Sequence, residues 1–586
     1  MSQTHGATTS PIMRAHRLLP ALTCLALALP AVAQQQDVNL PNLGSSAAGL
    51  VSPQEEQAYG QSMLRDLRAA DLVLDDPQVD AYVQALGYRL VAASADPSQH
   101  YTFIVLRDPE INAFAAPGGY IFIFSGLITT TDSEDELAAV IAHELAHISQ
   151  HHLERALEDQ KKTTPLYYLA AIGAALAAGK ADSGRDSSSY SRYSGPYTTS
   201  DSVDAGAGAF YSVLGLMLQH QIDFTRKDET EADRVGISTL AKAGYDPEAM
   251  AGFFDRMART LRPGGGEGGD YSGDAPPFLQ DHPVTSERIA EAKARAHVIE
   301  EQDHNAPQVA SLAPTDNLSL LPFVKNTSAL LQAPRRGPDR GEYALIRERI
   351  RVLSSGDYND TVDYYARNLA RGSSFDTPAH RYGYALALER TGKASKAVEM
   401  LKPLLETQPQ SNTLQLGMAE AELQAGNRAD ALRRYANLSA QSPQNPAIAL
   451  GYAQALLASG NASDAKTAQG LLKPMLDDNS EPELYRTYGH ACHIAGDDIR
   501  AGEAYADATF LSGRPQDALG QLQRLLQRKD LDYYSRARIE ATIAQITPIA
   551  LEMQRRNLPQ AGDKPDNGNG SQLGFHACSG DTCGQF

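Results

Sequence analysis

His143-Glu144-Leu145-Ala146-His147 places two imidazoles and a carboxylate within five residues, inside a run of helical periodicity from Asp135 to Glu154. On an α-helix, positions i and i+4 stand one turn apart on the same face. His143 and His147 can therefore offer ring nitrogens to one metal ion, and zinc accepts such ligands at about 2.0–2.1 Å. Glu144 leaves the helix beside the first of them, where it can take a proton from water held by the metal. The chemistry expected of this pattern is metal-assisted hydrolysis. A catalytic zinc keeps three protein ligands and leaves a fourth position for water, so another ligand must come from elsewhere in the chain.

The elements that must position these groups are legible nearby. Ser133 at N-cap and Glu136 at N3 form the pattern of a capping box where the helix should start. Leu137, Val140, Ile141 and Leu145 recur at helical spacing, so one face can be buried while the histidines look into a cleft. The candidate third ligand lies downstream, in Asp228-Glu229-Thr230-Glu231-Ala232-Asp233, within a second helix ending near Gly244. Glu229 and Asp233 are again i and i+4. One can ligate while the other accepts a hydrogen bond from a ligating imidazole.

Two further motifs accompany these: Asn112-Ala113-Phe114-Ala115-Ala116-Pro117-Gly118-Gly119, and His282-Pro283 followed by Arg288-Ile289. With them the sequence resembles the zincins that include the HtpX-type and CaaX-processing membrane proteases, and most closely the periplasmic BepA-like proteins. The resemblance covers residues 52–296. It implies one Zn2+ per chain, bound by His143, His147 and Glu229 rather than Glu231, with Asp233 behind the ligands. It also implies that the strand edge at Asn112, Ala113, Phe114, Ala115 and Ala116 pairs with an extended peptide substrate, as in β-augmentation. His282 and Arg288 are placed at the active site, where a cation can stabilise the oxyanion formed on a peptide carbonyl. The alternative for His282, known in some BepA-like members, is to block the metal. A long insertion between the second and third ligands departs from the family pattern.

A chain of 586 residues is too long for one core and points to at least two domains. Residues 1–33 read as a secretory signal: Arg14 and Arg17, an apolar run from Leu18 to Leu29, then Ala31-Val32-Ala33 before Gln34. Met13 is an alternative start. The net charge is −19, which excludes nucleic acid or anionic lipid as partners held by bulk charge. Cys578 and Cys583 stand close together in a polar tail, the pattern of a small disulfide loop in an oxidising compartment. Cys492 falls in an apolar helical pattern and reads as core.

In chain order, 34–51 reads as a linker and 52–296 as the metalloprotease domain that the resemblance implies. Helices are expected from Ser52-Pro53 and Asp76-Pro77, and strands at Tyr101–Leu106 and Tyr120–Phe124. Leu166–Ala178 is apolar but too short to span a bilayer. Residues 181–208, rich in Ser, Gly and Tyr, read as a flexible insertion, suited to a lid or to touching a membrane or partner. Apolar helical pattern returns at Phe210–Leu218. A Gly-rich break at 263–273 precedes a helix from Thr285 to Ala296, and 297–339 is a second linker. From 340 to 554 the chain repeats. Gly392, Gly426, Gly460 and Gly496 recur at intervals of 34, 34 and 36, each followed five residues later by Ala397, Ala431, Ala465 or Ala501. Ala385, Ala419, Ala453 and Gly489 stand seven residues before them. This is the period of tetratricopeptide repeats, whose stacks build concave grooves for protein segments. Residues 555–586 read as a disordered tail.

The expected fold class is mostly α: an α+β zincin domain with a small sheet, followed by an α-solenoid. The expected function is a periplasmic zinc endopeptidase, with repeats that recruit substrates or partners. The resemblance implies quality control and assembly of outer-membrane proteins. Its partners would be misfolded or assembling outer-membrane proteins and their assembly machinery, with room for peripheral contact with the outer membrane. The rival reading is a chaperone or assembly scaffold whose protease site is normally closed.

Overall fold

The computed structural model describes residues 52–152, 155, 226–260, 278–279, 282–305, 341–372, 374–476 and 481–556. The expected signal segment with Cys24, the linker 34–51, the insertion 181–208 with both apolar stretches beside it, the Gly-rich break 263–273, most of the linker 297–339, and Cys578 and Cys583 lie outside the described residues.

Helix α1 (Pro53–Ala69) starts with a complete capping box. Ser52 Oγ accepts from the Glu55 N–H, and the Glu55 carboxylate accepts from the Ser52 N–H. Helix α2 (Pro77–Ala93) is capped by Asp76. Both have Pro in the first turn, where its missing N–H costs nothing. Three short strands follow, β1 (Thr102–Leu106), β2 (Ala113–Ala116) and β3 (Tyr120–Phe124), in the order β1-β3-β2. The central strand β3 runs parallel to β1 and antiparallel to β2.

Alternation sorts its side chains between two layers. Ile121 and Ile123 join the cluster with α2 residues Tyr82 and Leu86, while Tyr120, Phe122 and Phe124 meet Met63, Leu64 and Leu67 of α1. β3 is buried along its whole length because helices cover both faces.

The motif helix α4 (Glu134–Ser149) follows a short helix α3 (Ser125–Thr130). Ser133 caps α4 as expected, accepting from the Glu136 N–H. The Glu136 carboxylate, however, accepts from the Asp132 N–H instead of closing the capping box, and it also pairs with Arg256. Helix α4 is buried on nearly every side, not along one stripe. It ends at Ser149, short of the expected Glu154, because His151 adopts a left-handed backbone with φ 53°.

Helices α5 (Arg226–Lys242) and α6 (Ala249–Thr260) pack against α4, and α7 (Ser286–Asn305) packs against α5 and α6. Helix α7 runs past the expected end at Ala296, since no Gly or Pro interrupts the sequence until Pro307.

The repeats form helix pairs as the spacing predicts. Gly392, Gly426, Gly460 and Gly496 all take positive φ just after a helix end, the left-handed position that favours glycine. Ala385, Ala419, Ala453, Ala397, Ala431 and Ala465 are fully buried where paired helices touch. Helix α8 (Glu342–Leu353), which begins just after the expected boundary at 340, is shared between the two parts. Tyr343, Ile346, Ile350 and Leu353 lie in the core that surrounds α4, whereas Leu345 and Val352 lie in the first repeat cluster. Farther on, the array returns to α1. Arg65 lies over the Phe510 ring, and Gly513 leaves no room for a Cβ against the Arg65 carbonyl.

Candidate metal centre and active site

Helix α4 presents His143 and His147 one turn apart, and α5 presents Glu229 and Asp233 against them. The crossing is close. At Gly236, two turns along α5 from Glu229, an added Cβ would stand 3.2 Å from the His143 backbone nitrogen and 3.0 Å from Met250 Cε. Ala232, Ile237 and Leu240 bury the same face of α5. The carboxylates are thus delivered by helix packing, not by a loop.

His143 Nε2 lies 3.1 Å from His147 Nε2 and 3.6 Å from Glu229 Oε2, and His147 Nε2 lies 3.5 Å from Glu229 Oε1. His282 joins them, with Nδ1 at 3.3 Å from His143 Nε2 and 2.9 Å from Glu229 Oε1. In a tetrahedron with bonds of about 2.0–2.1 Å, ligand atoms are about 3.3 Å apart. These nitrogen and oxygen donors therefore fit a small tetrahedral cation. All four residues are buried.

Behind the cluster, Asp233 Oδ1 lies 3.0 Å from His143 Nδ1. Arg288, from the first turn of α7, donates through Nε and Nη2 to the two Asp233 oxygens at 2.8 Å each, and Nη1 lies 2.8 Å from Glu229 Oε2. Nη1 also donates to the Pro283 carbonyl, and the guanidinium lies over the Phe254 ring. Arg288 is at the site as expected, with its donors committed to the two carboxylates. The Glu144 carboxylate is buried and lies 3.7 Å from His282 Nε2.

These charges set the protonation states. Burial pushes the Glu229 and Asp233 carboxyls up, but His282, His143 and Arg288 overcome it, so both stay below the ordinary carboxylate range. Burial and the neighbouring imidazoles hold His147 well below the usual histidine range, leaving a neutral ring that can ligate. Burial opposes charge on His282, yet Glu229 and Glu144 outweigh it and carry the group up to about 9.

Asn112 to Ala116 lie at a sheet edge. β2 pairs with β3 on one side, and among the described residues no strand pairs with its other side. Asn112 itself is buried; its carbonyl accepts from the Phe124 N–H and its side chain from the Ala113 N–H. Phe114 and Ala115 are partly exposed.

Sequence reasoning missed His152, whose ring meets that of His147 with Nδ1 to Nδ1 at 3.0 Å. On a continuous helix, a residue five positions on points away, so only the left-handed turn at His151 brings it back. It also missed Phe254 and Phe278, which wall the imidazoles of His143 and His282.

Known proteins bear on this geometry. The sequence pattern of peptidase family M48 matches residues 77–296, and a tetratricopeptide-repeat pattern matches 422–483. The chain is 31% identical over 429 residues to the beta-barrel assembly-enhancing protease of Escherichia coli strain K12, covering 71% of this chain and 80% of that protein. The chain belongs to that protease family. The Yersinia pestis protein of the same name is 29% identical over 395 residues, 67% of this chain and 68% of its own. The mitochondrial metalloendopeptidase OMA1 of Schizosaccharomyces pombe is 31% identical over 233 residues, 39% of this chain and 54% of its own. The protein is accordingly a metalloendopeptidase of peptidase family M48 followed by tetratricopeptide repeats. No helix among the described residues is long and apolar enough to cross a membrane.

Proposed function

We propose that the protein is a periplasmic zinc endopeptidase that acts on misassembled outer-membrane β-barrel proteins, with His143, His147 and Glu229 as metal ligands. The observation that carries the metal assignment is the convergence of two Nε2 atoms and a carboxylate at tetrahedral spacing in a buried pocket. The substrate class rests on the name of the relatives, beta-barrel assembly-enhancing protease, and on repeats suited to holding protein segments. The compartment rests on that name and on the signal-like residues 1–33.

A zinc ion held by His143, His147 and Glu229 would supply Lewis acidity toward a water molecule and the scissile carbonyl. Glu144 takes the proton of the attacking water and passes it to the leaving amine. Arg288 keeps Glu229 and Asp233 ionised and fixed, and Asp233 orients His143. The edge of β2 aligns an extended substrate through main-chain hydrogen bonds.

A second reading, a scaffold with a closed protease site, is favoured by one observation: His282 Nδ1 stands at ligand distance from the other donors. The two readings are joined if His282 closes the site at rest and withdraws when substrate engages, then donating to the oxyanion. The test is cleavage of casein and of an unfolded outer-membrane β-barrel by the parent and by Glu144→Gln. Cleavage by the parent, with a drop of about 10²–10⁴-fold in the variant at equal metal content, supports the enzyme. Equal activity of the two proteins would remove Glu144 from the mechanism.

A further inference from the structure

Helix α4 ends at Ser149, and the chain then turns through the left-handed His151. This non-glycine residue at φ 53° breaks the helical path, so that the His152 ring packs back against His147. Its ring stands nearly perpendicular to the His147 ring, centroids 4.8 Å apart, with the two Nδ1 atoms at 3.0 Å. Its other nitrogen, Nε2, lies 3.4 Å from Glu231 Oε2. Arg155 Nη2 donates to the same oxygen at 2.9 Å and lies 3.5 Å from Asp228 Oδ1.

The tautomers follow by elimination, given the proposed metal site on which this inference rests. A ligating imidazole nitrogen carries no proton. With His147 Nε2 on the metal, its proton is on Nδ1, the atom that faces His152 Nδ1. His152 Nδ1 must then accept, which leaves the His152 proton on Nε2, facing the Glu231 carboxylate. The chain His147 → His152 → Glu231 thus has one proton per link and a carboxylate at its end, anchored by Arg155. His143 has the shorter counterpart, Nδ1 directly against Asp233.

We propose that His152 and Glu231 are positioning residues that orient His147 toward the metal, making the site a pair of carboxylate-anchored imidazoles, one held directly and one through a histidine. This gives Glu231 a task distinct from the ligand Glu229 two residues before it. His152, Asp228 and Glu231 could instead hold a second ion, since their donor atoms lie within 4.8 Å of one another. Arg155, bearing on both carboxylates, already supplies the positive charge at that place.

The experiment measures zinc affinity of the full-length chain by competition with a chromophoric chelator, together with zinc stoichiometry and far-UV circular dichroism. His152→Leu fills the space without a polar group, whereas His152→Gln keeps an acceptor toward His147 and a donor toward Glu231. Loss of an outer hydrogen-bond partner costs about 10–100-fold in metal affinity, so His152→Leu should bind zinc about that much more weakly. His152→Gln should recover most of the loss. Glu231→Gln should cost less than His152→Leu and add little to it in the double variant, because both act through one chain. One zinc per chain is expected throughout. Affinity of His152→Leu within twofold of the parent, losses that simply add, or two zinc ions per chain would each overturn the relay. His147→Ala is the control: if it binds zinc as the parent does, the metal-site reading itself falls, whereas loss in His147→Ala with none in His152→Leu removes the relay alone.

Discussion

Arg349 and Asp76 are 273 residues apart in sequence and meet through two hydrogen bonds of 2.8 Å, from Nε and Nη2 to the two carboxylate oxygens. Asp76 also caps α2, accepting from the Val79 N–H. The remaining donor, Nη1, reaches the Tyr382 hydroxyl at 3.2 Å and Glu420 at 3.1 Å. One guanidinium thereby ties the second helix of the protease part to two helices of the repeats. Burial alone pushes the Asp76 carboxyl up, but Arg349 holds it below its usual range.

Removing one member of such a pair leaves the other charge buried. Arg349→Ala should therefore destabilise the protein by about 3–5 kcal/mol. Asp76→Asn combined with Arg349→Met should cost less than the two single changes added together. Denaturant unfolding followed by circular dichroism at neutral pH gives the comparison. A loss below about 1 kcal/mol in Arg349→Ala would mean that water reaches the pair.

His282 can act in two ways with opposite signs. As a resting ligand, its ring proton displaced by the metal, it excludes the catalytic water, and His282→Ala should cleave casein faster than the parent at equal zinc content. As an oxyanion donor alone, its loss should slow cleavage by about 10²–10³-fold. The packing of His282 Nδ1 among the other donors favours the resting block, so the expected result is faster cleavage. A drop of two orders of magnitude would leave only the catalytic role.

Helix α8 changes what a truncation of the repeats should do. A chain ending at residue 340 lacks Tyr343, Ile346, Ile350 and Leu353, which fill the protease core, while one ending at residue 356 keeps them. Each large apolar side chain contributes about 1.5–3 kcal/mol when buried. The shorter protein should melt well below the longer one, and neither should retain the partners captured by the full chain. Equal melting temperatures would show that α8 is dispensable to the protease core.

Asp507 gives the repeats a pH dependence. Burial, with the nearby Glu503 adding repulsion, pushes its carboxyl from 3.8 up to about 7. Between these values the unfolded chain has released the proton and the folded one has not, so folding is weakened progressively as pH rises from about 4 to 7. Asp507→Asn removes this contribution. Its melting temperature should gain on that of the parent across that range, with a constant difference above it. Scanning calorimetry between pH 4 and 8 decides; a difference that does not change with pH would place Asp507 in water.

The sequence alone carried what is written in local spacing. His143 and His147 are one helical turn apart whatever surrounds them, and the repeat glycines mark left-handed helix ends at fixed intervals, so motif helix and solenoid were both legible. The relation of Glu229 to Asp233 was legible too, for the same reason. The choice of Glu229 over Glu231 as the ligand came only through resemblance to a family.

Other features depended on contacts no periodicity encodes. The Glu136 carboxylate turned from its capping box to Asp132 and Arg256 because a neighbouring helix offered a cation. The resemblance placed Arg288 at the active site as a cation for the oxyanion, but packing commits it to Glu229 and Asp233. His152 was invisible because helical geometry points it away, and a single left-handed residue reverses that. Helix α8 read as the first of the repeats because its pattern is helical, and only tertiary packing decided that half of its apolar face completes the protease core. Local geometry follows from the order of residues along the chain, whereas the partner of a buried charge or an apolar face is fixed only when distant segments exclude water together.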